Sequence, residues 1–192
     1  MNLPSPSRRL FTSLLAAIAA LQTHIGYADQ LQYEDDLRAA LVLGFARFSE
    51  WPVAREGPIV IAVVGRPAMA AALERVSAGK VVNGRTILVR VLRHPAQAAG
   101  AHILYFGRSP GLRLPEVIQE ARGPENKWPI LTIGEEDRFL AAGGTVHLFE
   151  QDGRMSFEVN LAALQAANVS ISSKLLRLGY TTTANRRARS TP

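Results

Sequence analysis

The chain has 192 residues, with 22 Lys+Arg against 16 Asp+Glu and no cysteine. The lack of cysteine excludes a disulfide framework and any thiolate metal site. Arg8, Arg9, Arg186, Arg187 and Arg189 sit near the two ends and account for most of the net charge of +6, so the body is nearly balanced and does not suggest nucleic-acid binding.

The first residues read as an export signal. Arg8 and Arg9 precede an apolar run from Leu10 to Leu21, and Gly26-Tyr27-Ala28 offers small residues for cleavage near Ala28. The run is short of the roughly 20 residues that a membrane span needs. Ser7-Arg8-Arg9-Leu10-Phe11 also fits a twin-arginine signal, so the general secretory and twin-arginine routes both stay open. With no cysteine for lipid attachment, a soluble exported protein is expected.

The stretch from Leu37 to Pro52, LRAALVLGFARFSEWP, predicts an amphipathic helix. Leu37, Leu41, Phe45 and Phe48 recur at helical spacing, with Ala40 and Gly44 beside them. Glu34, Asp35 and Asp36 suit the positive end of the helix dipole. Pro52 biases Trp51 away from helix and sets the stop.

Ile59 to Val64 is a continuous apolar run that reads as a buried strand, and Pro67 then opens a helix over Ala68 to Ala78. Asn83-Gly84 marks a turn before a second strand, Thr86 to Leu92. Ala101 to Phe106 is a third strand, Leu112 to Arg122 a helix and Trp128 to Ile133 a fourth strand. Glu135 to Ala141 is expected as a short helix stopped by Gly143-Gly144. Thr145 to Glu150 and Arg154 to Val159 flank Gln151-Asp152-Gly153, a hairpin signal. Asn160 caps a helix over Leu161 to Ala167, and Ser172 or Ser173 caps a last one ended by Gly179.

Strands alternating with helices predict an α/β layered sandwich with a mostly parallel central sheet, helices on both faces and a late antiparallel hairpin. Three segments are expected: a signal peptide over 1–28, one α/β domain over 29–179, and a disordered basic tail over 180–192.

Few residues offer chemistry. Gly107-Arg108-Ser109-Pro110-Gly111 has the G-x-S-x-G form of a nucleophile elbow, with Asp137 and His147 following in hydrolase order. Pro110 has no N–H to give an oxyanion hole, which argues for a plain turn. His94, His102 and His147 are isolated in sequence, and no metal or cofactor is implied. Glu135-Glu136-Asp137 reads as dipole complementation at a helix start. Arg66, in the Gly65-Arg66-Pro67 turn, and Arg85 are the candidates for binding a small anion.

Two distant segments carry a resemblance. Phe157-Glu158-Val159-Asn160-Leu161, followed by Ala166 through Leu176 (AANVSISSKLL), is similar to the closing signature of the YfiR-like family of periplasmic regulatory proteins. Arg38-Ala39-Ala40, Phe45-Ala46-Arg47-Phe48 and Glu50-Trp51-Pro52 resemble its opening segment. Val82-Asn83-Gly84-Arg85, His102-Ile103-Leu104-Tyr105 and Ile130 through Gly134 (ILTIG) fit its middle. Leu41, Val42 and Gly44 depart from the usual opening, and Ala62 and Ala101 stand where relatives commonly have cysteines.

The resemblance implies a regulator and not an enzyme. The family's best-known role is to bind the periplasmic domain of a membrane-anchored diguanylate cyclase and hold it inactive, with a peptidoglycan-associated outer-membrane lipoprotein able to sequester the repressor. On this reading Arg47, Trp51, Phe157, Ile171, Lys174, Leu175 and Arg177 are the partner-binding candidates, with core packing as the alternative for each. The two signature segments are expected to meet in space, and a homodimer would suit a domain of this size. A periplasmic small-ligand receptor, feeding a sensor kinase or transport system through Arg66 and Arg85, is the alternative function.

Overall fold

The computed structural model describes residues 29–52, 56–108, 113–123 and 128–182. The chain divides into two compact units, residues 1–35 and 36–192. Of the first, residues 29–35 are described and are helical. The second carries the fold. The export signal, Ser109 with Pro110, and the basic residues beyond Thr182 lie outside the described residues.

Helix α1, residues 36–48, opens the second unit. Strand β1 (Ser49–Glu50) follows directly, then β2 (Ile59–Val64), α2 (Pro67–Ser77), β3 (Val81–Val82) and β4 (Arg85–Leu92). A 3-10 turn (Pro95–Ala98), β5 (Ile103–Phe106), α3 (Leu114–Ala121) and β6 (Leu131–Gly134) come next. The chain closes with β7 (Val146–Gln151), β8 (Arg154–Asn160), α4 (Leu161–Ala166), β9 (Ser170–Ile171), α5 (Ser173–Leu176) and β10 (Tyr180–Thr182).

Eight strands form one sheet in the order β10-β8-β7-β6-β5-β2-β4-β3. The run from β4 through β2, β5 and β6 to β7 is parallel. Two antiparallel hairpins flank it, each with a two-residue turn of left-handed backbone. Asn83 and Gly84 (φ 51° and 76°) join β3 to β4, and Asp152 and Gly153 (φ 52° and 70°) join β7 to β8. Asn-Gly and Asp-Gly favour this turn because both positions need positive φ.

The apolar run of β2 explains the two layers. Ile59, Ile61 and Val63 face a core formed with Phe45 and Ala46 of α1, Met69 and Leu73 of α2, and Leu164 of α4. Ala62 and Val64 face the other way, onto Leu114 and Ile118 of α3, Ala98 and Phe139. Helices therefore cover both faces, as the strand–helix alternation predicts. Asn160 caps α4 by accepting the Ala163 N–H at 3.1 Å, and Ser172 caps α5 through the Lys174 N–H.

Four expectations need correction. The buried side of α1 is Ala39, Val42, Leu43, Phe45 and Ala46, whereas Leu37 and Phe48 are more than one-third exposed. Of the expected stripe Phe45 is the one fully buried member, and Ala39, Val42, Leu43 and Ala46 complete the face that closes on the sheet. The helix also ends at residue 48, not at Pro52, because Ser49 and Glu50 pair as β1 with β9. Residues 137–143 form turns, not a helix. There Phe139 packs so tightly that a Cβ at Gly134 or Gly144 would overlap its ring. Finally, Tyr180–Thr182, assigned to the tail, form β10 and pair in parallel with β8.

Among the described residues, no helix is long and apolar enough to cross a membrane.

Candidate functional site

The two signature segments meet. β1 and β9 pair antiparallel, Ser49 with Ile171 and Glu50 with Ser170, and the Ser172 N–H donates to the Phe48 carbonyl at 2.8 Å. The ladder works because α1 ends in an extended segment just where α4 hands the chain to another. It sets the segment carrying Arg47 beside the segment carrying Lys174 and Arg177.

The candidate residues then divide by burial. Phe157 is 3% exposed and packs edge-to-face on Phe45 with ring centroids 5.1 Å apart. Ile171 and Leu175 belong to the same core. Trp51 is half-buried and stands edge-on to His102, with centroids 5.3 Å apart, and its buried Nε1 has no hydrogen-bond partner. Arg47, Lys174 and Arg177 are exposed. Arg47 lies over the Phe48 ring at 5.7 Å, a cation–π distance, and its carbonyl accepts from Asn83 Nδ2 at 3.2 Å. The apolar candidates thus hold the two segments together, and the basic ones face outward. A hollow of about 400 Å³ lies at the junction, between Trp51 and Pro52 on one side and Gln165, Asn168 and Ser170 on the other.

A second cluster sits at the carboxyl ends of the parallel strands. β2 has β4 on one side and β5 on the other, so the chain reverses direction across the sheet there. Open parallel sheets place ligands in the crevice at such a point. Here the crevice holds the chain's own side chains. Arg66, after β2, donates through Nη1 to both oxygens of Glu135, at 2.9 and 2.6 Å. Tyr105, on β5, also donates to Glu135. Arg38 of α1 has its Nε 3.9 Å from the same carboxylate, and Arg108 donates to the Glu135 carbonyl at 3.4 Å. Gly107 is required, because a Cβ there would overlap the Cβ of Arg66. Burial, then the nearby Glu135 charge, pushes the Tyr105 phenol well above its ordinary range, so it stays a donor.

Sequence reasoning took Glu135 as a helix-start charge and missed this role. A signal was present: Val64-Gly65-Arg66 and Phe106-Gly107-Arg108 repeat one pattern at two strand ends, and Gly134-Glu135 supplies the opposite charge at a third.

Arg66 is therefore engaged by Glu135. Arg85, the other anion candidate, donates to the Gly57 and Pro58 carbonyls at 2.7 and 2.9 Å. His102 accepts the Val60 N–H at Nδ1, 3.1 Å away, and so ties β5 to the start of β2. His147 stacks on Phe149 with centroids 5.3 Å apart. Its Nε2 is buried without a hydrogen-bond partner, and Asp137 Oδ1 lies 4.0 Å away. Burial lowers the His147 pKa from its ordinary 6.5, against the opposing effects of the Glu135 carbonyl, Asp137 and Glu158. Among the described residues, no group of three or more His, Asp or Glu could hold a metal ion.

A family model described as YfiR/HmsC-like matches residues 35–180. No curated protein sequence matches the chain. Among solved structures, the chain is similar to a conserved domain protein from Vibrio cholerae O1 biovar El Tor, with 15% identity and a TM-score of 0.46, over 65% of this chain and 55% of that one. It is also similar to the ABC domain in complex with L-Trp from Streptococcus pneumoniae, with 11% identity and a TM-score of 0.44, over 64% of this chain and 54% of that one. The chain thus spans about half the length of these solved chains.

Proposed function

From the premise that this chain belongs to the YfiR/HmsC-like family of periplasmic regulators, we propose that it represses a membrane-anchored diguanylate cyclase. It does so by binding the cyclase's periplasmic domain more tightly in the inactive state than in the active one. Only such a difference in affinity shifts an equilibrium between two states. Moving it from nearly all active to nearly all inactive takes about 5.5 kcal/mol of differential binding.

The observation that carries this reading is the β1–β9 ladder. It joins the two signature segments through buried Phe157, Ile171 and Leu175, and leaves Arg47, Lys174 and Arg177 exposed beside them. Three outward cations on one rigid junction suit an acidic face on the partner, giving orientation and a fast encounter. Trp51 packs into the same junction with its indole N–H buried, so it holds the frame and does not offer a contact. Export through the segment ending near Ala28 brings the protein to that partner. An outer-membrane peptidoglycan-associated lipoprotein competing for the same surface would release the cyclase. The chain acts by binding and has no catalytic step.

Deleting the gene in a strain that keeps its membrane-anchored diguanylate cyclases should raise cyclic di-GMP and surface attachment. Complementation with wild type should restore both. The triple variant Arg47→Glu, Lys174→Glu, Arg177→Glu should melt like wild type, because all three side chains are exposed. It should nonetheless fail to complement. Unchanged cyclic di-GMP in the deletion strain would sink the cyclase reading. Full complementation by the triple variant would move the partner surface elsewhere.

A further inference from the structure

Strand β4 is half covered on its outer side. It pairs with β2 along six residues, Ile87 to Leu92. On the opposite side β3 reaches only Arg85 and Thr86. The chain then leaves the sheet at Gly79 (φ 68°), so among the described residues nothing extends β3 along β4. Among the described residues, the alternate N–H and C=O groups of Ile87 to Leu92 that point away from β2 therefore form an open edge.

Native sheets usually shield such an edge with proline, a bulge or inward charge. Lys80, Arg90 and Arg93 put charge along this one, but exposed apolar side chains border it as well: Val81 is 62% exposed, Leu88 45% and Val91 59%. Hollows of about 460 and 470 Å³ flank Val81. The first lies between the end of α2 and β4, beside Leu88. The second runs under α1 to Phe48 and Arg47. Arg47 is one of the three cations of the proposed partner surface, so the edge is continuous with it.

We infer that this edge takes an extended, acid-bearing segment of the regulated partner as an added strand. Unpaired backbone groups select an extended polypeptide, and the alternate side chains of that strand would fill the hollows. Charge selects the acid. Lys80 and Arg93 are exposed at the edge and Arg90 is half-buried, while Glu74 is the one acidic residue lining either hollow.

A second copy of this chain fits less well. Two-fold antiparallel pairing centred on Arg90 would bring two Arg90 residues opposite one another, a like-charge pair, while each guanidinium is held by the Ala99 and Gln97 carbonyls of its own chain. Pairing centred on Val89 would bring the copy's Leu92 opposite Thr86, where Val81 already sits.

This inference rests on the regulator reading and names how the partner is held. Its test does not depend on cyclic di-GMP. Short random peptides displayed on phage are selected on the immobilised mature protein. Enriched peptides should be rich in Asp and Glu alternating with β-branched residues. They should protect from hydrogen exchange the alternate amides of Ile87 to Leu92 that point away from β2. N-methylation of alternate peptide amides should abolish binding. The variant Lys80→Glu, Arg93→Glu should melt like wild type and weaken binding roughly tenfold or more, with Leu88→Lys as a second, apolar probe. Peptides without acidic bias, protection on another surface, or no enrichment at all would overturn the proposal. So would sedimentation showing a dimer whose contact protects the same amides, since the edge would then belong to a second copy. A failed deletion phenotype beside successful peptide binding would remove the cyclase and leave the docking edge.

Discussion

Replacing Glu135 by glutamine keeps the shape of the side chain and removes its charge. Arg66 and Arg38 would then face each other across a neutral amide, with Arg66 only 26% exposed in its side chain. Removing one charge from a partly buried ion cluster is costly even where the intact pair adds little. Glu135→Gln should therefore lose about 3 kcal/mol of stability in urea unfolding. A loss below about 1 kcal/mol, the range of an exposed pair, would mean that the cluster is solvated. His147 gives a different signature. Its pKa is lowered in the folded state, so the unfolded chain takes up a proton first as pH falls. Stability from this group is full above the ordinary value of 6.5 and is lost as pH drops toward the folded value. The melting temperature should fall between neutral pH and about pH 5, and His147→Gln should flatten that slope. An identical slope in the variant would assign it to other groups.

At the scale of elements, short strands and short helices take their places from one another. β1 and β9 have two residues each, too few to hold without neighbours. Their pairing is anchored by α1 before it and by the Ser172 cap of α5 after it. α4 is six residues long, and Asn160 both caps it and donates to the Leu140 carbonyl at 3.4 Å. Asn160→Ala should cost about 1 kcal/mol from the cap alone. Since Asn160 is nearly buried, a measured loss at or above that value is expected, read by chemical denaturation. No loss would show that the helix holds through tertiary packing only. The short turn segment between β6 and β7 is a similar case: Phe139 replaces a helix as the cover of that part of the sheet.

For the molecule as a whole, buried and exposed parts of one signature do different work. A motif carried by Phe157, Ile171 and Leu175 reads in the sequence like a binding surface, yet these side chains close the core. The cations between and after them stay outside, together with the open edge of β4. The proposed repression through this surface would depend on a rigid junction, because a flexible one would spend binding free energy on ordering itself. That is why the triple charge reversal, and not a core substitution, is the informative variant: it alters the face without loosening the frame.

Much of this was legible from sequence. Continuous apolar runs determined β2, β5 and β6, because strands buried on both faces need no polar alternation. Asn83-Gly84 and Asp152-Gly153 determined both hairpin turns, because their backbone requires positive φ. The two signature segments pointed to the family and to their own meeting. Tertiary structure alone decided the rest. It chose which stripe of α1 is buried, since two apolar stripes overlapped at Phe45 and only contact with the sheet decided that Ala39, Val42, Leu43 and Ala46 join it in the core. It made Glu135 the centre of an ion cluster, since residues 38, 66, 105 and 135 converge only when the parallel strands align their carboxyl ends. It also left β4, among the described residues, open on one side beyond Thr86, because the number of pairing partners belongs to the sheet and not to the strand.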